Sequence, residues 1–206
     1  MSAEPPTSPS KGEDTRERIV ARALVLASSL GLEAVTIGQL ATELGLSKSG
    51  LFAHFKSKEK LQLAILDAAA EHFRSRVFVP ALNSPRGEPR LRAIFERWLA
   101  WVSSKELPGG CIFLAGALEW DDREGPVRER LVGWFHALKN GTERAVRLAV
   151  EQGDLRPELD ATQFAYEMHA IVMKYHLDAR LVRNPGAQGA ALTAFERLLR
   201  DARAGT

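Results

Sequence analysis

Basic and hydroxyl side chains crowd into the stretch from Ser47 to Lys60, where four lysines stand against one glutamate. Lys48 lies beside Ser49, and Lys58 opens a predicted helix. Ammonium and hydroxyl groups donate hydrogen bonds to phosphate oxygens, and a helix N-terminus adds backbone N–H donors. This spacing therefore predicts phosphate binding, although a solvated helix face can have the same composition.

Cys111 and the histidines are the other residues with chemical potential. Cys111 follows two glycines at a predicted helix start, where the thiol pKa is lowered and the thiolate becomes reactive. The alternative is a small buried side chain. His169 and His176 share a helical face, but no Cys or carboxylate cluster joins them at a metal-ligand spacing, so we predict no metal and no cofactor. No nucleophile signature surrounds Cys111, and we predict that the protein is not an enzyme.

Short helices must position the basic residues. Thr36 is a predicted N-cap with Gln39 three residues later, which is a capping-box pattern. Gly45 ends that helix and Ser47 caps the next one. Two helices joined by so short a glycine-containing turn form a helix-turn-helix, whose second helix lies in the DNA major groove.

The second helix of this pair needs an apolar anchor and an open face. Leu51 and Phe55 lie four residues apart and anchor it, whereas Lys48 and Phe52 lie on another face. Gly50 has two explanations that the sequence leaves open. Its missing side chain allows close approach to DNA, or it avoids a clash with the preceding helix.

The run GLEAVTIGQLATELGLSKSGLFAHFKSKEKL, residues 31–61, resembles the DNA-binding domain of the TetR family of bacterial transcriptional regulators. The family commonly has Tyr where this chain has Phe52, which cannot donate to a phosphate but can touch a thymine methyl. His54 has a structural alternative, packing the third helix against the fourth. With Gln39 and Gly50 added to the positions that the resemblance implies, the candidate DNA contacts are Thr36, Gln39, Ser47, Lys48, Ser49, Gly50, Phe52, His54 and Lys58.

Composition places the chain among soluble proteins. It has 206 residues, 45% of them apolar, a net charge of +2 and a single cysteine, which excludes an intramolecular disulfide. The N-terminus has no apolar core that would make it a signal peptide, and no apolar run reaches the roughly 20 residues of a membrane span. We expect a cytoplasmic protein without a membrane partner.

Helical periodicity continues to the end of the chain, with no alternating strand pattern. Turn-forming segments divide the second half into five predicted helices, at 89–104, 111–120, 126–152, 160–183 and 186–203. The prediction is an all-α fold of about nine helices. Residues 1–13 form a disordered tail, 14–60 the helix-turn-helix DNA-binding domain, and 61–206 a helical domain that the resemblance assigns to ligand binding and dimerisation.

The second half is rich in aromatic residues, which suits a pocket for an apolar or aromatic ligand. Ordinary core packing explains the same residues. The candidate ligand contacts are Trp98, Trp101, Cys111, Phe113, Trp120, Phe135, Phe164 and Met168.

The resemblance also implies that the last two helices pair with those of a second subunit, although residues that pack the subunit's own core would show the same pattern. The candidate interface residues are His169, Val172, His176, Leu192, Phe195 and Leu199. The predicted function is a homodimeric regulator, a repressor released from a palindromic operator by a small molecule. The alternatives are an electrophile or redox sensor acting through Cys111 and a DNA binder without an effector.

Overall fold

The computed structural model describes residues 11–205. Within this range helices are joined by turns and loops, and one isolated bridge pairs Leu155 with Arg203. Two π-helical segments extend α4 and α9, so the described residues hold nine helical rods and confirm the predicted all-α fold. The elements are α1 (Lys11–Leu30), α2 (Ile37–Leu44), α3 (Lys48–Phe55), α4 (Lys58–Phe73), the first π segment (Arg74–Phe78), α5 (Val79–Ala81), α6 (Glu88–Val102), α7 (Ile112–Trp120), α8 (Pro126–Glu151), α9 (Ala161–His176), the second π segment (Leu177–Val182) and α10 (Ala187–Ala202).

The first helix begins inside the tail predicted for residues 1–13. Residues 1–10 of that tail lie outside the described residues, and α1 already includes residues 11–13. Glu13 and Asp14 lie in its first turn, where carboxylates are favourable beside the positive end of the helix dipole. The α1 helix thus starts three residues before the predicted boundary at residue 14.

We define the head as α1 to α3. Hydroxyl caps begin α2 and α3 of the head and the α4 helix that follows it. Gly45, with φ of 64°, ends α2 in the left-handed region. The turn between α2 and α3 is therefore as short as predicted. Each cap accepts a hydrogen bond from the backbone N–H three residues ahead, at 3.0–3.2 Å: Thr36 from Gln39, Ser47 from Gly50 and Ser57 from Lys60.

The α4 helix joins the head to the rest of the molecule. It packs against α1 on one side and α8 on the other. Leu61 and Ile65 are fully buried on it, so burial of apolar area fixes its position. Among the described residues no helix is long and apolar enough to cross a membrane.

Polar contacts also fasten the head to α7. The backbone N–H of Gly109 donates to the Ser28 hydroxyl at 3.3 Å, and a Cβ on Gly109 would overlap the Ser28 carbonyl. At the other end of α7, Glu119 accepts a hydrogen bond from the backbone N–H of Glu33 at 3.0 Å. A displacement of α7 would therefore strain the chain between α1 and α2.

Candidate nucleic-acid interface and effector region

The α3 helix buries one face and leaves the other open. Leu51 and Phe55 are buried at 0% and 3% exposure, which confirms their predicted role as anchors. Ser47, Lys48 and Ser49 are exposed at the N-terminus of the helix. Backbone N–H groups and lysine charge thus share one open surface, the arrangement that binds phosphate.

Small residues shape this surface. The Lys48 stem crosses Gly38 of α2, where an added Cβ would lie 3.4 Å from Lys48 Cε. A Cβ on Gly50 would meet the Ser47 hydroxyl at 3.0 Å, whereas no atom of α2 lies within 4 Å of it. The explanation that Gly50 avoids a clash with the preceding helix is therefore wrong, and the open side of Gly50 faces solvent.

The remaining candidate DNA contacts surround α3. The Thr36 hydroxyl already caps α2, and Gln39 is half-buried behind it. Phe52 is 52% exposed, an unusual state for so large an apolar ring. His54 is half-buried with its ring 6.3 Å from that of Phe55. Phe52 is therefore more accessible than Gln39 and His54, which are half-buried.

Lys58, a predicted phosphate contact, is paired with Glu33 in this structure. Its Nζ lies 2.6 Å from Glu33 Oε1 and donates to the Glu33 carbonyl at 2.5 Å. The hydrogen bond from Lys58, with smaller contributions from Gln62 and Arg123, lowers the pKa of Glu33. The sequence alone did not identify Glu33 as part of this site, because its partners come from α4 and the α7–α8 turn, far along the chain.

Models of known protein families match both halves of the chain. A family model of bacterial regulatory proteins of the tetR family matches residues 19–65, and a model of the tetracyclin repressor-like C-terminal domain matches residues 87–195. The second match alone spans more than half of the chain. This chain belongs to the TetR family. It is a transcriptional regulator, and its helix-turn-helix is the DNA-binding element.

Two relatives of this TetR-family chain carry names that describe different roles. The nucleoid occlusion factor SlmA of Marinobacter nauticus is 31% identical over 148 residues, which are 70% of this chain and 71% of that protein. The HTH-type transcriptional repressor ComR of Escherichia coli is 23% identical over 167 residues, 80% of this chain and 79% of that one.

Solved structures agree on the fold. A TetR transcriptional regulator from Chloroflexus aurantiacus has a TM-score of 0.82 and 30% identity, covering 92% of this chain and 94% of that chain. AibR, solved with isovaleryl coenzyme A and operator DNA, has a TM-score of 0.65 and 23% identity, covering 86% and 96%.

The aromatic residues predicted to line a ligand pocket instead form a filled cluster in this TetR-family chain. Phe73 meets Trp98 and Trp101 edge-on, with ring centroids 5.4 and 4.9 Å apart. Trp134 stacks on Phe113 at 3.7 Å. Helical periodicity identifies residues that face inward, but it cannot tell a ring that packs on another ring from one that lines a cavity.

The other predicted ligand contacts do not converge on one cavity either. Trp120 lies under the Arg123 guanidinium, 4.9 Å from its ring centroid. Phe164 and Met168 are buried on α9, and Phe135 is half-buried on α8. In this conformation these side chains pack against their neighbours, and their role in ligand binding stays a prediction.

Cys111 is at the N-cap of α7, as predicted, but its thiol is not activated. The residue is 4% exposed, and burial raises the pKa of the thiol to about 11. Backbone hydrogen bonds to Leu114 and Phe113 lower that pKa, yet desolvation outweighs them. Burial therefore favours the alternative of a small buried side chain and does not support a reactive thiolate, which is costly to form in a desolvated site.

Most residues predicted for the dimer interface pack inside the subunit. Phe195 stacks on Phe95 at 3.9 Å, which joins α10 to α6. His169 bonds the Thr142 hydroxyl at 2.9 Å. Both side chains make these contacts within the subunit. Val172 and Leu199 are buried, His176 accepts from the Cys111 N–H, and Leu192 is half-buried.

Proposed function

We propose that the chain is a homodimeric repressor that a small apolar or aromatic molecule releases from a palindromic operator. Residues 14–60 bind the DNA, and residues 61–206 bind the ligand and the second subunit. The observation that carries the proposal is the open N-terminus of α3, where Lys48 and two serines are exposed on a firmly anchored helix. The name of ComR as a transcriptional repressor supports the sign of regulation.

An exposed apolar stripe supports the homodimer. Tyr166, Met173, Leu177 and Leu181 are each at least half exposed, and they repeat at steps of seven, four and four along α9 and the second π segment. Such steps bring side chains to one helical face. Contiguous apolar patches of this kind mark interaction sites on soluble proteins. Exposed small residues on the neighbouring α10, such as Gly189 and Ala190, permit close helix approach.

Release by a ligand requires two conformations of the dimer. In one, the two α3 helices match half-sites about 34–36 Å apart. The ligand binds better to a second conformation in which this spacing is lost. Reversing a 99:1 population needs about a 10⁴-fold difference in ligand affinity between the two. The ligand complex of AibR shows that this fold accommodates an effector in another protein.

A second candidate function is DNA binding without an effector. The relative SlmA, at 31% identity, is named a nucleoid occlusion factor and not a transcriptional repressor, which is why this candidate is kept. Failure of every small molecule to release the DNA, together with many unrelated bound sites across the genome, would favour it over repression.

Selection of bound duplexes from a random pool tests the proposal. We expect an inverted-repeat consensus, because a twofold dimer reads a twofold site. Lys48→Ala should weaken binding across sequences and reduce the salt slope of log K by about one. Lys105→Ala, an exposed lysine in the α6–α7 loop, serves as the matched control and should leave the slope unchanged. A consensus without palindromic symmetry would contradict the proposal.

A further inference from the structure

A small apolar cleft opens between the end of α4 and the middle of α8. It has a volume of about 290 Å³, near the lower end of the range for small-molecule sites. Apolar atoms make up most of its wall, and one charged side chain contributes to it. The lining residues are Ala70, Phe73, Arg74, Phe78, Trp134, Ala137, Leu138 and Gly141.

The first π segment and a glycine create this cleft. Arg74 and Phe78 are the first and last residues of the π segment, and π turns inside helices occur frequently at functional sites. The wider π turn changes the direction of both side chains from the one they would have in a regular α-helix. Gly141 lies opposite, where a Cβ would come 3.6 Å from the Phe78 ring, so its missing side chain leaves the space open.

The walls favour an amphipathic ligand. Phe73 and Trp134 present the edge of the aromatic cluster, with ring centroids 5.6 Å apart, and offer stacking surface to an apolar body. Arg74 is the charged residue of the lining, and it carries five N–H donors. Two of its nitrogens bond Glu71 at 2.7 and 2.8 Å, but this pair is exposed and easily exchanged.

We propose that this cleft binds a small organic anion, an aromatic or aliphatic body that bears a carboxylate or a similar acidic group. The apolar body lies between Phe78, Trp134 and Gly141, and the acidic group bonds Arg74. The inference rests on the proposed function, since it assigns the effector of that regulator to a site and a chemical class.

The cleft is connected to the head by two routes. Phe73 ends α4, whose first residue, Lys58, bonds Glu33 beside the helix-turn-helix. Trp134 stacks on Phe113 of α7, and α7 reaches the same Glu33 backbone through Glu119. A ligand that separates α4 from α8 therefore acts on both helices that contact Glu33, in the turn that precedes α2.

Two fluorescent probes that differ in charge test the site on the full chain. Anilinonaphthalene sulfonate carries an anionic group, and phenylnaphthylamine has the same rings without it. Gly141→Leu should weaken both probes roughly tenfold or more, because it fills the cleft. Gly133→Leu adds the same bulk on α8 with nothing within 4 Å and should leave both unchanged. Gly141→Ala, which makes only ordinary contact with Phe78, gives an intermediate loss if the leucine variant does not fold.

Arginine variants test the chemical class. Arg74→Gln should weaken the sulfonate roughly tenfold and the neutral probe less than about twofold, because only the charged hydrogen bond is lost. Arg76→Gln is the matched control: it removes an exposed arginine of the same π segment, paired with Glu106 outside the cleft.

The outcomes separate this inference from the proposed function. Equal probe affinities in Gly141→Leu and Gly133→Leu would overturn the cleft as a site. Equal effects of Arg74→Gln and Arg76→Gln on the sulfonate would overturn the anion. Operator binding is measured on the same variants without probe. Loss of operator binding would contradict the proposed regulatory function and not the cleft. Normal operator binding, with probe affinities that the cleft variants do not change, would overturn only the cleft as the ligand site.

Discussion

At the scale of single residues, the pairing of Lys58 with Glu33 controls the charge that the head offers to DNA. A phosphate can recruit the Lys58 ammonium only by displacing the Glu33 carboxylate, which lies 2.6 Å away. The pair is partly exposed, so its strength is about 0–1 kcal/mol. Lys48 has no such competitor in α3 itself, since the helix contains no carboxylate.

Glu33→Gln should therefore strengthen DNA binding by up to about fivefold and steepen its salt dependence by at most about one unit of slope. The variant leaves Lys58 free of its acidic partner. Titration of labelled operator at several salt concentrations measures both quantities. Glu59→Gln removes an equal charge from the first turn of α4 and controls for net charge. Identical effects of the two variants would show that Glu33 does not compete with DNA for Lys58.

The contrast between Lys48 and Lys58 shows what a sequence can reveal about this site. Ser47 and Lys48 were predictable because a turn, a cap and an anchor all lie close together in the sequence, between Gly45 and Phe55. The Lys58 partner was not predictable, since it depends on how the α1–α2 turn meets α4. Gly50 was ambiguous for the same reason, because only the distance to α2 decides between its two explanations.

At the scale of elements, a buried polar contact joins α8 to α9. His169 Nε2 lies 2.9 Å from the Thr142 hydroxyl, and the Trp98 ring meets the imidazole at 5.1 Å. Desolvation lowers the pKa of His169 to about 4, against its ordinary value of 6.5. Attraction to Glu143, which binds Lys139 and Thr162, only partly opposes this shift.

The lowered pKa predicts a loss of stability in mild acid. Between pH 6.5 and about 4 the unfolded chain binds a proton at His169 that the folded chain does not, so stability falls as pH falls through this window. From pH 7 to pH 5 the loss is about 2 kcal/mol for this group. Urea unfolding at both pH values measures it, and His169→Gln should reduce the loss by that amount. His136→Gln, an exposed histidine of α8, should not.

Helical periodicity predicted the positions of α8 and α9, but it did not predict the two π segments. The apolar stripe of α8 and the Asp160 cap of α9 follow from local spacing, and both helices begin within one residue of their predicted starts. The two π segments do not follow from any local pattern, because tertiary packing decides where a helix widens. The cleft beside Arg74 could therefore not be predicted from the sequence. Among the aromatic residues predicted to line a ligand pocket, Trp98 and Phe113 pack against its lining rings Phe73 and Trp134.

At the scale of the whole molecule, the exposed stripe on α9 and the second π segment is the surface that we propose for the dimer interface. Leu181 is 78% exposed and Met173 is 50% exposed. The buried residues first predicted for the interface hold α9 and α10 to the rest of the subunit. Two kinds of substitution therefore separate folding from association.

Met173→Glu with Leu181→Glu should give a folded monomer, because charges on the stripe oppose burial at the interface and cost nothing in the free subunit. Phe195→Asp should instead unfold the subunit, since it replaces a ring stacked on Phe95 with a buried charge and costs at least about 3–5 kcal/mol. Leu118→Glu, an 81% exposed leucine of α7, is the control and should remain dimeric. Sedimentation velocity at micromolar concentration, with circular dichroism, separates the cases. A folded monomer with weak affinity for the full palindrome is the expected state of the double variant, whereas an unchanged dimer would move the interface away from α9.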